Sequence, residues 1–242
     1  MRLSRLYLPH DINSGEVITL GDENAHYLRA VLRLKKNALI TLFNDQAGEF
    51  SARVIEISRK QVVVLAGNWC ERNVESSLKI VLGLAISRAD RMDLAVQKAV
   101  ELGVYSIEPL ISERTLVRFK GDKKKQKMQH WQNITRHAAG QSGRTEVPHI
   151  TEPMQLPAWV GQQSGLKIFL DPAADCALPE LSCKNSRVTL LSGPEGGFSE
   201  QERELAKISG FIPVKLGPRI LRTETAAIAA LAAVQLLWGD FK

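Results

Sequence analysis

Two segments in the last quarter of the chain have residue types and spacings suited to holding a small molecule. Val188-Thr-Leu-Leu-Ser192 runs into Gly193-Pro-Glu-Gly-Gly197. Phe211-Ile-Pro-Val-Lys-Leu216 runs into Gly217-Pro-Arg-Ile-Leu-Arg-Thr-Glu-Thr-Ala226. In each, an apolar run of strand length ends in glycine, which lets backbone N–H and C=O groups come close to a ligand. Loops at the carboxyl ends of sheet strands are where α/β proteins bind ligands. Neither segment is a nucleotide fingerprint. The first lacks the Lys-Ser/Thr that ends a P-loop, and its glycines are not spaced G-x-G-x-x-G. The pattern predicts a pocket built differently from the common phosphate cradles.

Other chemistry is less well supplied. Cys70, Cys176 and Cys183 are odd in number and show no C-x-x-C spacing, which speaks against a disulfide framework and a structural zinc site. The five histidines form no H-E-x-x-H or related pattern, so no metal is expected. The formal charge of +6 is concentrated: Arg114, Arg118, Lys120, Lys123, Lys124, Lys125 and Lys127 face one acid, Asp122, so this segment carries the whole excess. Such a block is either a solvated loop or a surface for a polyanion, since clustered Lys and Arg displace counterions from phosphates.

These groups need a scaffold, and 242 residues suffice for one large or two modest domains. Residues 1–72 read as short strands (Arg5–Leu8, Glu16–Leu20, Ala38–Phe43, Glu49–Ile57, Gln61–Ala66), with turn material such as Ser58-Arg-Lys60 and one helix from Asp22 to about Leu34. Hairpin spacing suggests a small β-barrel. Polar residues 71–77 read as a linker. From Leu78 on, apolar runs (Leu78–Ile86, Tyr105–Ile111, Leu166–Leu170, Val188–Leu191, Phe211–Leu216) alternate with helical segments, the signature of a mostly parallel sheet covered on both faces. Ser87-Arg-Ala-Asp90 resembles a capping sequence for a helix that ends at Gly103, with Met92, Val96, Ala99 and Val100 on one stripe. A second helix is expected at about Lys127–Ala139. A third, Thr223–Trp238, has Thr223 as its expected N-cap and is apolar nearly all round, which requires burial inside the domain or at a subunit interface. No signal peptide or bilayer-length span is evident, and a cytoplasmic location is expected.

The chain resembles the bacterial 16S ribosomal RNA uridine-N3 methyltransferases of the SPOUT superfamily (the RsmE family), over nearly its full length. Arg5 with Tyr7, and His26-Tyr-Leu-Arg-Ala-Val-Leu-Arg33, look like that family's N-terminal signatures. Gln97-Lys-Ala-Val-Glu-Leu-Gly-Val104, and Gln141-Ser-Gly-Arg144 followed by Pro148, match its middle. The two glycine segments, Leu191–Ser199 and Leu216–Ala226, match its C-terminal signatures. Gly140, where the family usually has Glu, and Ser192, where Ile is common, are departures. The resemblance implies a PUA-like β-barrel over 1–72 that binds RNA. It implies an α/β SPOUT domain over 73–242 with a deep trefoil knot, S-adenosylmethionine in the knotted loops, and a homodimer. The reaction implied is methyl transfer to N3 of one uridine of 16S rRNA, within an assembled small ribosomal subunit.

Carried onto this chain, the resemblance places the methyl donor against Leu191, Ser192, Gly193, Pro194, Glu195, Gly196 and Gly197. It adds Leu216, Gly217, Ile220, Leu221, Arg222, Thr223, Thr225 and Ala226. A base for the N3 proton is expected among Glu195, Glu224 and Glu101, and Arg222 is expected to stabilise the anionic uracil or grip its phosphate. For Glu101 an ion pair with Lys98 is the competing reading. RNA contacts are expected from Arg5, His26, Arg29 and Arg33, the last two on one helix face. Further contacts are expected from Gln141, Arg144, Arg114, Lys123, Lys124 and Lys125. Three other readings compete: a non-catalytic RNA-binding assembly factor, a Rossmann-type enzyme, and the same fold acting on another RNA. Late glycines argue against the Rossmann arrangement, whose glycine loop follows the first strand.

Overall fold

A computed structural model describes residues 3–59, 61–115 and 121–241, apart from the side chains of residues 22 and 23. Lys60, Arg118 and Lys120 lie outside the described residues. The chain forms two compact units, residues 1–75 with 136–147 and residues 76–135 with 148–242. A single boundary near residue 72 is therefore too simple: after the expected linker the chain returns to the first unit for twelve residues.

In the first unit the strands are β1 (Ser4–Tyr7), β2 (Val17–Leu20), β3 (Leu39–Phe43), β4 (Gly48–Ile57) and β5 (Val62–Glu71), in the sheet order β1-β3-β4-β5-β2. Among the described residues only the β1–β3 pair is parallel. Side chains from both end strands, Leu6 of β1 and Ile18 and Leu20 of β2, join one buried cluster with Ile40, Val54 and Val64. A five-stranded sheet whose two ends share a core must wrap around it, as a small barrel does. Helix α1 (Asp22–His26) continues as a π-type turn, Tyr27–Val31, in which the Leu32 N–H donates to the Tyr27 carbonyl at 3.0 Å. The turn inserts Leu28 into the core. It also ends the regular helix early. Arg33 lies beyond it at φ +50°, so Arg29 and Arg33 do not share a helix face as expected.

The second unit contains β6 (Lys79–Ala85), α2 (Ala89–Glu101), β7 (Ser106–Ile111) and the start of α3 (Asp122–Ser142). It continues with β8 (His149–Ile150), β9 (Met154–Gln155), α4 (Leu156–Val160), β10 (Leu166–Leu170), β11 (Arg187–Ser192), α5 (Glu200–Ile208), β12 (Ile212–Val214) and α6 (Thr223–Trp238). The sheet order is β12-β10-β11-β6-β7-β8, with β9 also on β7, and every described pairing is parallel. The expected α/β class with a mostly parallel sheet is borne out. The central strand β6 is a nearly unbroken buried run, as a sheet covered on both faces requires. Val81 joins Phe169, Leu191, Trp159 and Phe211 in the cluster beneath α4 and α5, while equally buried Ile80, Leu82 and Leu84 point to the opposite face.

Three helix ends differ from expectation. Helix α3 begins five residues early, so Lys123, Lys124 and Lys125 form its first turn rather than a loop. The N-cap of α2 is Arg88, not Ser87, and that of α6 is Arg222, not Thr223. Neither cap residue makes a side-chain capping bond. Helix α6 is buried along Ala227, Ala230, Leu231 and Val234, but Leu236 (66% exposed) and Leu237 lie open on its other side.

Candidate active site

A cavity of ≈ 500 Å³ lies at the carboxyl ends of the parallel strands, within the second unit. The segments leaving β10 (Leu170, Asp171), β11 (Ser192 to Phe198) and β12 (Val214 to Arg222) wall it, with the first turn of α6. Ligands bind at strand ends in open α/β sheets because side chains from the surrounding loops converge there.

The loop after β11 closes on itself through a hydrogen bond from the Gly197 N–H to the Pro194 carbonyl (2.9 Å), with Gly197 at φ +67°. Gly217, which opens the loop after β12, stands at φ +87°. A Cβ is strained at both angles, which is the local reason for glycine there. Outside contacts pin the first loop. The Glu195 carboxylate accepts from the Arg88 backbone N–H (3.2 Å) and the Arg91 guanidinium (3.4 Å). Arg114 donates to the Gly196 carbonyl at 2.8 Å. Arg114 is itself on an anchored turn, since its neighbour Glu113 donates its N–H to Glu202 (2.7 Å) and Ser112 bonds Thr115. Glu202 completes a capping box with Ser199 at the start of α5. On the opposite wall, buried Asp171 pairs with Arg203 at 2.5 Å and accepts from the Ala173 N–H at 2.9 Å.

The amino end of α6 points a second kind of donor at the cavity. Ala226 N–H bonds the Arg222 carbonyl (2.8 Å), and the backbone N–H groups of Thr223, Glu224 and Thr225 precede the first intrahelical bond, with no side-chain cap. Thr223 and Ala226 line the cavity, so this turn offers it unsatisfied donors and the positive end of a helix dipole.

Thirteen of the expected donor-binding residues line this one cavity: Ser192, Gly193, Pro194, Glu195, Gly196, Gly197, Leu216, Gly217, Ile220, Leu221, Arg222, Thr223 and Ala226. Leu191 and Thr225 do not. Leu191 is fully buried in the core under α5, and Thr225 is exposed. Among the residues expected to do chemistry, Glu195 and Arg222 line the cavity, whereas Glu101 and Glu224 do not. Both oxygens of Glu101 are held by Lys98 at 2.8 Å. Glu224 is 7% exposed, and its Oε2 is buried with no hydrogen-bond partner.

Arg114, expected on an RNA surface, lines the cavity. Lys123 and Lys125 are exposed, and Lys124 pairs with Glu152 at 2.6 Å. In the first unit, Arg5 and Arg144 are corrections. Their side chains are buried in ion pairs with Glu49 and Glu75, so their charges are compensated inside the fold rather than offered to phosphate. Arg72 also reaches Glu49, at 3.0 Å. Burial would raise the Glu49 carboxyl, but the hydrogen bonds and charges of Arg5 and Arg72 outweigh it and hold it below the usual carboxylate value. Arg29 is tied to the Ser58 and Arg59 carbonyls. His26, Arg33 and Gln141 are exposed.

Sequence reasoning missed Arg91, Asp171, Phe198, Arg203 and Arg219, which all line the cavity. Asp171 had a readable signal, since it follows an apolar run as the glycines do. Arg219 sits inside a motif that had been singled out. Arg91 and Arg203 arrive from helices and had none.

Among the described residues no group of three or more His, Cys, Asp or Glu could hold a metal, and no helix is long and apolar enough to cross a membrane.

Residues 74–235 match the RNA methyltransferase domain model, and residues 20–66 match the RNA methyltransferase PUA domain model. The chain is 39% identical over 241 residues to Ribosomal RNA small subunit methyltransferase E of Buchnera aphidicola subsp. Schizaphis graminum, covering 99% of this chain and 98% of that one. It is 27% identical to the Bacillus subtilis protein of that name, over 95% of each. A putative methyltransferase from Legionella pneumophila, solved in complex with the bound cofactor SAM, superposes with a TM-score of 0.97 at 40% identity over 100% of both chains. A Ribosomal RNA small subunit methyltransferase E from Neisseria gonorrhoeae, bound to S-adenosyl methionine, gives 0.91 at 37%, again over 100% of both. With a strand-end cavity lined by thirteen of the expected residues and a family model spanning most of its length, this chain belongs to the family of ribosomal RNA small subunit methyltransferase E.

Proposed function

We propose that this chain transfers a methyl group from S-adenosylmethionine to N3 of one uridine in small-subunit ribosomal RNA. The observation that carries the reading is the glycine-looped cavity at the strand ends of a chain in this family. Its volume falls in the range of small-molecule sites, about 300–1,000 Å³. The uncapped amides of α6 suit the donor's carboxylate, the backbone groups of the two glycine loops suit its adenosine, and Leu216, Ile220 and Leu221 supply apolar contact.

S-adenosylmethionine, when bound, supplies a methyl group on a sulfonium that is displaced in line. The N3–carbon bond forms as the sulfur–carbon bond breaks, and the N3 proton must leave for the nitrogen pair to attack. Three carboxylates were open as the base. Glu195 already accepts two hydrogen bonds that hold its loop, and both oxygens of Glu101 are taken by Lys98. Glu224 alone keeps a buried oxygen without a partner, one residue along from cavity-lining Thr223. That oxygen is free to accept a hydrogen bond, so we assign Glu224 as the acceptor of the N3 proton. Arg222, at the same helix end, stabilises negative charge on the uracil.

RNA contacts fall to exposed His26, Arg33 and Gln141 of the first unit and to Lys123, Lys124 and Lys125. A second copy of the chain is the proposed cover for Leu236 and Leu237 of α6. The assembled small subunit, in the cytoplasm, is the proposed substrate. Mass spectrometry of ribosomal RNA from cells lacking the gene, with and without its return, tests the reading. One N3-methyluridine should appear only when the gene is restored. No such mark, together with no saturable heat from S-adenosylhomocysteine, makes the chain an RNA-binding assembly factor instead. Heat without the mark points to another RNA.

A further inference from the structure

Five arginines (91, 114, 203, 219 and 222) line the cavity, against two carboxylates, Glu195 and Asp171. Each carboxylate has an arginine of its own, Arg91 at 3.4 Å and Arg203 at 2.5 Å. Three guanidinium groups are left over. Arg114 donates to a neutral carbonyl, and the guanidinium groups of Arg219 and Arg222 have no hydrogen-bond or ion-pair partner among the described residues. All three are exposed.

This surplus does not suit the methyl donor. S-adenosylmethionine carries a sulfonium, an ammonium and one carboxylate, so it is a net cation, and like charge at close range is repulsive. Its single anion already has the α6 amides. Three spare cations beside a cationic ligand call for another anion. All three are arginine rather than lysine, and the planar fork of arginine matches phosphate oxygens two at a time. Their mounting also favours geometry over flexibility. Arg114 rides on the turn anchored by Glu202, and Arg219 and Arg222 stand three apart on the short loop between β12 and α6.

We infer that Arg114 and Arg219 form a phosphate clamp that grips the RNA backbone beside the target base, whose anionic charge Arg222 meets. The inference rests on the proposed reaction and deepens it. A base presented for chemistry must be splayed from its neighbours, and fixed contacts to the adjoining phosphates would hold the strand in that register.

The test uses the full-length protein and the RNA of assembled small ribosomal subunits, purified as intact subunits from cells lacking the gene. Arg219→Gln and Arg114→Gln, singly and together, are titrated with this RNA across a salt series. Separate titrations use S-adenosylhomocysteine. Each lost phosphate contact on single-stranded RNA should flatten the slope of log affinity against log salt by about 0.7, and the double variant by about twice that. Affinity for S-adenosylhomocysteine should not change in R219Q, whereas R114Q also loses the bond to the Gly196 carbonyl and should weaken it. Arg219→Lys, which keeps the charge, should restore the slope. Unchanged slopes in R219Q and in the double variant overturn the clamp, as does a loss confined to S-adenosylhomocysteine binding. A wild-type protein that neither binds nor methylates the RNA overturns the proposed reaction, and the clamp with it.

Discussion

The Glu195 carboxylate lies 3.2 Å from the backbone nitrogen of Arg88, so a residue of the cavity loop holds the amino end of α2. That helix has no side-chain cap of its own. Glu195 thereby links the shape of the loop to a helix packed in the core, and Arg91 adds a second tether from the same helix.

This arrangement makes Glu195 a positioning residue with a separable signature. Glu195→Gln keeps an oxygen that can accept the Arg88 N–H, and it should retain most turnover with an unchanged pH–rate profile. Glu195→Ala should lower unfolding stability by about 1 kcal/mol, as lost helix caps do, and should weaken S-adenosylhomocysteine binding. Thermal melts and calorimetry check both. A pH profile that flattens in E195Q would make Glu195 the base.

Glu224→Gln is the complementary experiment. It removes the proton acceptor while keeping the shape, and general bases contribute about 10²–10⁴-fold. The kcat at neutral pH should fall within that range and recover as pH rises and N3 ionises unaided. Cofactor affinity should hold. Because Oε2 has no partner to lose, E224Q should also fold at least as stably as the wild type. Normal kcat in E224Q would remove Glu224 from the reaction.

Much of the site was legible because its scaffold follows simple periodicity. Apolar runs ending in Gly193 and Gly217 announced strand ends, and strand ends in a parallel sheet point to one place. The buried stripe of α2, from Met92 to Val100, follows the expected spacing. What escaped depends on distance in space rather than in sequence. Asp171 and Arg203 meet across 32 residues, and Arg5 and Glu49 across 44. No local pattern reveals that Arg144 is wanted inside the first unit. The start of α5 is a different case. Ser199 and Glu202 spell a capping box, but the glycine loop just before it masked the helix.

Glu49 predicts an acid limit for the first unit. Its carboxyl titrates below the ordinary value of 4.5 in the folded chain because Arg5 and Arg72 outweigh its burial. Its contribution is therefore complete above that value and is lost as pH falls through the folded-state value. Glu49→Gln should lower unfolding stability by about 2 kcal/mol at pH 7, the scale of hydrogen bonds to charged groups. It should also lose part of the fall in stability expected of the wild type below pH 4.5. Denaturant melts at neutral and acidic pH compare the two proteins. Parallel acid limbs in both would show that the pair does not set the limit.

Lys123 and Lys125 separate the needs of folding from those of binding. Both lie in the first turn of α3, where the helix dipole is positive and lysine is disfavoured. Exchange of either for Glu should stabilise the fold, by about 0.3–1 kcal/mol per residue at low salt. RNA affinity should move the other way, because each reversal replaces a phosphate-neutralising charge with a repelling one. Lys124 is unsuited to this test, since reversing it would set two acids together at Glu152. Opposite signs for K123E/K125E in thermal melts and RNA titrations would mean that these lysines are kept for the ligand at a cost to the helix. A more stable variant that binds RNA with unchanged affinity and salt slope would make them spectators.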